Sequence, residues 1–202
     1  MLGLCVDWGG LMTKPNPEEL FNLGVKSSEA KDYIQAKKYF EKACGLNNGG
    51  GCGALGDLYD DGKGVEKNLI KAAQYASKAC DLNNGGGCGN LGVLYQKGEV
   101  VEKNLTKAAY FYSKACELKD GLGCKDLGTL YYNGEGVEKN LTKAAYFYSK
   151  SCDLNNGLGC NALGDLYYGG EGVEKNLIKA DQYISKACKL GDQEACEALK
   201  EK

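Results

Sequence analysis

Ten of the eleven cysteines recur at a fixed step of 36 residues, a constraint that any fold of this chain must satisfy. Cys44, Cys80, Cys116, Cys152 and Cys188 form one series, and Cys52, Cys88, Cys124, Cys160 and Cys196 the other. Two cysteines therefore stand eight residues apart five times over, joined by variants of one turn such as "CGLNNGGGC" at 44–52 and "CELKDGLGC" at 116–124. Tyr59, Tyr95, Tyr131 and Tyr167, Gly62, Gly98, Gly134 and Gly170, and Asn68, Asn104, Asn140 and Asn176 keep the same step. A period of this length marks an array in which each unit buries its apolar face against its neighbours.

Each unit holds two helical stripes. Cys52, Leu55, Leu58 and Tyr59 fall at i, i+3, i+6 and i+7 and mark a first helix, A. Leu69, Ala72, Ala73, Ala76 and Cys80 mark a second, B, with Asn68 as its N-cap after a glycine-containing turn that ends A. The alanine pairs at 72/73, 108/109 and 144/145 leave room for close helix approach. Tyr75, Phe111, Phe147 and Tyr183 lie beside that stripe and are expected to pack on the next hairpin. Asn16-Pro17-Glu18-Glu19, an N-cap with proline at the first helical position, opens the array. The expected units are 16–48, 49–84, 85–120, 121–156 and 157–191, with a capping helix at 192–202.

"LGDLY" at 55–59, with its copies LGVLY, LGTLY and LGDLY, resembles the core of helix A in tetratricopeptide-type repeats. The loops "DGKGVEKNL", "NGEGVEKNL" and "GGEGVEKNL", followed by stretches such as "KAAQYASKAC", resemble the Sel1-like repeat. C-x7-C in every unit is similar to the Helicobacter cysteine-rich protein family, and the resemblance spans residues 16–202. It implies an all-α, right-handed αα solenoid of Sel1-like repeats with one disulfide per repeat. Two departures stand out: Gly24 to Gly56 is a step of 32 rather than 36, and "GEVVEKN" carries Val100 where the other copies have glycine.

In such an array Cys44 ends one helix B and Cys52 begins the next helix A, which runs back antiparallel. Asn48 and Gly49 are expected to leave the helix in a left-handed conformation, and Gly51 adds no side chain where the backbones meet. The spacing suits a disulfide joining each repeat to the next. Two alternatives remain at this point, buried reduced thiols and a metal, although structural zinc prefers cysteines two to four apart and four ligands. Each nine-residue loop so closed would contribute about 2.5 kcal/mol. Disulfides at this density imply the periplasm or the outside of the cell. "MLGLCVDWGGLMTKPNP" at 1–17 resembles the tail end of an export signal with a cut near Thr13, so residues 1–15 are expected to be its remnant or a disordered lead. The expectation is that the true start lies upstream or that export is impaired, and that Cys5 is discarded with the signal rather than lipidated.

Composition narrows the chemistry. With no histidine, catalytic triads built on imidazole and HExxH zinc sites are excluded. A net charge of −2 with evenly spread lysines gives no nucleic-acid surface, and no apolar run reaches the length of a membrane span. No cofactor or metal is expected, and the chain should be a monomer. Glu102-Lys103-Asn104-Leu105-Thr106 and its copy at Asn140 contain glycosylation sequons, but Asn68 and Asn176 hold the same place without the threonine, which favours capping.

The family resemblance implies penicillin binding and slow β-lactam hydrolysis. Ser28-Glu29-Ala30-Lys31 is a literal S-x-x-K, so Ser28 as nucleophile and Lys31 as its base are the catalytic candidates, against a solvated turn. No S-D-N or K-T-G accompanies it. The "YSK" triplets at 112–114 and 148–150 read as scaffold. A ligand groove is the other candidate. On the face of helix A opposite Leu55 and Tyr59, Ala54, Asp57 and Asp61 are replaced in turn by Asn90, Val93 and Lys97, by Asp126, Thr129 and Asn133, and by Ala162 and Asp165. Core positions repeat while these vary, as expected for a scaffold with a tailored concave surface for a peptide, a cell-wall fragment or a host protein. The sequence thus supports two functions, a slow β-lactamase and a non-catalytic interaction scaffold.

Overall fold

Short polar side chains start the helices. In the computed structural model, which describes residues 16–200, each of the first ten helices begins behind an asparagine or aspartate that accepts a first-turn amide. The expected remnant at 1–15, with Cys5 and Thr13, lies outside the described residues. The helices are α1 (Pro17–Glu29), α2 (Tyr33–Gly45), α3 (Gly49–Asp61), α4 (Leu69–Asp81), α5 (Gly85–Lys97), α6 (Leu105–Glu117), α7 (Gly121–Asn133), α8 (Leu141–Asp153), α9 (Gly157–Gly169), α10 (Leu177–Lys189) and α11 (Gln193–Lys200). Asn68, Asn104, Asn140 and Asn176 accept from the amides of Lys71, Lys107, Lys143 and Lys179 at 2.9–3.0 Å. There is no strand among the described residues, and none of their helices is long and apolar enough to cross a membrane.

The joints between hairpins repeat with the cysteines. After α2, α4, α6 and α8 one residue turns left-handed, Asn47 (φ 61°), Asn83, Lys119 and Asn155. This lies one residue before the expected Asn48 and Gly49: Asn48 is extended and caps α3, its carboxamide oxygen accepting from the Gly51 amide at 2.7 Å, while Gly49 is already helical. A methyl group on Gly51 would stand 2.7 Å from Cβ of Ala43 and 3.1 Å from the Cys44 nitrogen, so only glycine admits the next helix here. With the backbones this close, disulfides join Cys44 to Cys52, Cys80 to Cys88, Cys116 to Cys124, Cys152 to Cys160 and Cys188 to Cys196, with Cα atoms 4.5–4.6 Å apart. The first four bridges are buried and the last is half-buried. Each links the second helix of one hairpin to the first helix of the next, and the fifth fastens α11 to the end of the stack.

Within a hairpin the stripes meet as expected: Cys52, Leu55, Leu58 and Tyr59 are all buried, as are Ala72, Ala76 and Cys80. The aromatics beside the second stripe differ from expectation, because each stacks on the tyrosine of its own hairpin rather than chiefly on the next one. Tyr59–Tyr75, Tyr95–Phe111, Tyr131–Phe147 and Tyr167–Tyr183 lie nearly parallel with ring centroids 5.5–5.7 Å apart. On the four tyrosines of the first helices sit Lys71, Lys107, Lys143 and Lys179, 5.0–5.1 Å from the centroids. A flat ring held between a second ring and an ammonium group fixes the two helices in one register, once per repeat.

The stack curves. Successive odd-numbered helices from α1 to α9 touch one another, whereas successive even-numbered helices make at most marginal contact. The odd helices therefore line the inner side of an αα solenoid and the even helices its outer side.

Because Cys116–Cys124 closes nine residues in a buried joint, replacing both cysteines by alanine should lower the free energy of unfolding by about 2.5 kcal/mol in urea denaturation. An unchanged midpoint and slope would show that packing alone holds that joint.

Candidate ligand-binding groove

The inner face is built from α3, α5, α7 and α9, and its side chains form a chain of local polar contacts. Asn90 on α5 donates to Asp57 on α3 at 2.8 Å, bridging two repeats. On α7, Asp126 pairs with Lys125 at 2.7 Å, and the Thr129 hydroxyl lies 3.2 Å from that of Tyr148. Lys97 and Asn133 stand near the ends of their helices and reach the loops, to Glu99 at 3.9 Å and Glu135 at 3.4 Å. Val93 is half-buried and packs on a core cluster shared by its own and the following repeat, so it is as much a packing residue as a groove residue. Asp165 is exposed on α9.

Carboxylates dominate this surface. Desolvation between the helices is the largest influence on Asp57 and holds its pKa above the usual carboxylate range; the Asn90 amide opposes it, and Asp61 and Asp60 add to it. Asp165 is raised in the same way, first by desolvation and then by Glu194 and Asp192. The phenol of Tyr148 is pushed up by burial. Such a groove favours ligands that bring ammonium groups or N–H donors.

The catalytic candidates are not brought together. Ser28 lies in the last turn of α1, and Lys31 lies beyond its end in a left-handed conformation (φ 60°), exposed, with its amide donating to the Ser28 carbonyl at 2.9 Å. The helical register that would set a lysine one turn above a serine nucleophile is broken between them. Among the described residues no group of three histidine, cysteine or acidic side chains is placed to hold a metal.

Sequence reasoning missed three groove residues. Tyr132 donates to Glu171, which holds its pKa up, and Lys139 sits 5.7 Å from its ring centroid. Tyr168 is exposed, with Lys175 at 5.8 Å. Asp60 stands beside Asp57 in the wall of a cavity between α3, α4 and α5. Each follows directly on a core tyrosine or precedes Asp61, and aligning the columns next to Tyr59, Tyr95, Tyr131 and Tyr167 would have exposed their variation.

The raised pKa of Asp57 has a defined sign. Its folded form holds a proton more tightly than the unfolded chain does, so ionisation at neutral pH weakens the fold. Asp57→Asn should raise the thermal midpoint at pH 7 and leave it unchanged well below the ordinary aspartate pKa of about 3.9. A lower midpoint at pH 7 would mean that the charge stabilises the groove.

The Sel1 repeat family model matches residues 20–48, 51–84, 87–120, 122–156 and 157–192. HcpC of Helicobacter pylori is 58% identical over 66 residues, which cover 33% of this chain and 22% of HcpC. HcpA of the same species, named a beta-lactamase, is 52% identical over 60 residues, 30% of this chain and 24% of HcpA. The matched segments thus span about a quarter or less of those relatives. The solved structure of Helicobacter pylori cysteine rich protein B superposes with a TM-score of 0.54 at 45% identity, covering 65% of this chain and 95% of that one. With five repeats matched and a bridged cysteine pair at each joint, the chain belongs to the Sel1 repeat family and, within it, to the Helicobacter cysteine-rich proteins.

Proposed function

We propose that this chain is an interaction module of the periplasm or cell exterior that holds an extended peptide, whether a cell-wall fragment or a host protein segment, in the groove of α3, α5, α7 and α9. One observation carries the reading: most packing positions, among them the cysteines, the stacked tyrosines and the leucines at 55, 91, 127 and 163, repeat from unit to unit, while the inner positions at 57, 93, 129 and 165 change from Asp to Val to Thr to Asp. Val93 and Thr129 also answer to packing, whereas the exposed Asp57 and Asp165 do not. Five disulfides support an oxidising compartment. The carboxylates Asp57, Asp60, Asp126 and Asp165 select partners that carry basic side chains or free amines. Asn90, Lys97 and Asn133 supply polar contacts between them, and the module works as a monomer without a cofactor. In fluorescence anisotropy with labelled lysine-containing peptides, Asp126→Lys and Asp165→Lys should each weaken binding by about tenfold, with the helical circular-dichroism spectrum of the folded chain retained. Binding indifferent to both reversals would place the partner elsewhere.

A second reading, penicillin binding with slow β-lactam hydrolysis, is favoured by the name of HcpA. The broken register at Ser28 and Lys31 argues that any such activity belongs to the groove. Ser28→Ala should hydrolyse a chromogenic cephalosporin at the rate of the parent, and reduction of the disulfides should remove the activity from both. Turnover lost with Ser28 alone would return catalysis to the S-x-x-K serine.

A further inference from the structure

One position on the second helix of each hairpin faces the glycine of the first helix, and its occupant changes along the array: Phe40, Ala76, Tyr112, Tyr148 and Ile184. In the third and fourth hairpins a ring fills the space between the helices. A Cβ built on Gly92 would lie 2.5 Å from the Tyr112 ring, and one on Gly128 2.7 Å from Tyr148; Gly164 meets Ile184 at 2.8 Å and Gly24 meets the Phe40 ring. Gly56 meets no ring, its nearest neighbours being the Ala72 carbonyl at 3.3 Å, Tyr75 Cβ at 3.4 Å and the Ala76 nitrogen at 3.6 Å.

The missing ring leaves a cavity of about 70 Å³ that opens onto the inner face. Gly56, Ala72, Ala76, Val93 and Leu94 form its apolar wall, with Asp57, Asp60, Asn90, Lys97 and Glu99 lining it as well. Leu94 is only partly buried here, whereas its counterparts Leu58, Leu130 and Leu166 are at most 5% exposed. The rim also differs. Lys63, Glu135 and Glu171 tie their loops down by donating to the carbonyls of Leu58, Leu130 and Leu166 at 3.0–3.1 Å. Among the described residues no such bond joins Glu99 to Leu94, and Val100 replaces the left-handed glycine found at 64, 136 and 172.

We infer that this notch is a specificity pocket that receives one phenylalanine-sized apolar side chain from an extended peptide carrying basic residues on either side of it. The other hairpins show the shape of the natural occupant. Where they place a tyrosine, its hydroxyl is taken up by Gln96 at 2.6 Å or meets Thr129 at 3.2 Å. The corresponding residues at the notch are Asp60 and Asp57, carboxylates with no internal hydroxyl to accept from and facing the groove. A ring entering from the groove points its apolar end at Ala76 and leaves its backbone amides and neighbouring ammonium groups against Asp57 and Asp60. Water at the inner end of the notch, against Gly56, Ala72, Ala76 and Leu94, finds few polar partners, and a hydrocarbon side chain displaces it favourably.

This inference rests on the groove reading proposed above, and its test separates the two. The probes are Ac-Gly-Lys-Phe-Lys-Gly-NH2 and the same peptide with alanine in place of phenylalanine, measured by calorimetry or NMR titration against the full chain. The phenylalanine peptide should bind about tenfold more tightly or better, the gain expected for burying one aromatic side chain. Ala76→Tyr restores the ring of the other repeats and should abolish that preference while leaving the weaker alanine-peptide binding in place. Ala76→Ile should reduce the preference part-way, and both variants should melt at or above the parent temperature because they fill a void. Equal binding of the two peptides to the parent would overturn the notch and leave the groove standing. No binding of either would overturn both, and a preference that survives Ala76→Tyr would move the pocket elsewhere.

Discussion

The joint between hairpins is the constraint on which the rest of this molecule depends. At each joint a helix ends, one residue turns left-handed, and an asparagine or aspartate starts the next helix within a few residues. At four joints Gly51, Gly87, Gly123 and Gly159 leave out a side chain that would press on the neighbouring helix, at the fifth the small Ala195 takes that place, and the disulfides hold every joint at 4.5–4.6 Å between Cα atoms. Lys78 and Lys186 add to two of these joints by donating to the carbonyls of Cys44 and Cys152 at 3.0 and 2.9 Å, acceptors at a helix end that also take the amides of Asn47 and Asn155. A repeat array is stabilised by its units and by their interfaces, so a covalent link at each interface fixes both stability and curvature. A stack with rigid joints holds a groove of fixed width, which spares a ligand the entropic cost of closing it.

That groove is where the chain departs from uniformity. The scaffold is nearly the same in every unit: the caps, the stacked ring pairs with their lysines and the bridges recur at 36-residue steps. The departures gather on the inner side and around the second and third hairpins, where Ala76 replaces a ring, Val100 replaces a left-handed glycine and Leu94 loses its cover. A defect in packing costs stability, and one concentrated at the surface proposed for binding suggests that the cost is offset by what enters it.

Much of this was legible in the sequence because period and chemistry coincide. The 36-residue step set the hairpins, the asparagines before each second helix announced their caps, and the cysteine spacing pointed to the bridges that the structure holds. The left-handed residue was misplaced by one because Asn47 and Asn48 are the same residue type and only the cap geometry tells which turns and which accepts. The rings at 75, 111, 147 and 183 stack within their own hairpins and not on the next one, because a stripe on a helix says which side faces inward but not which neighbour it meets. Ala76 is silent in the sequence pattern because an alanine fits an apolar stripe; its significance lies in volume, visible only against Phe40, Tyr112, Tyr148 and Ile184 at the same position. The raised pKa of Asp57 depends on the neighbouring helix α5 that comes up beside it, which no linear pattern encodes.

The most direct test of the account is an amide NMR map of the oxidised chain titrated with a lysine-containing peptide. The account predicts that shifts fall on α3, α5, α7 and α9 and are largest around Asp57, Asn90 and Leu94, with the even-numbered helices unmoved on their outer faces. Shifts confined to the outer faces of α4, α6 and α8, or no saturable shift at any concentration reached, would contradict it.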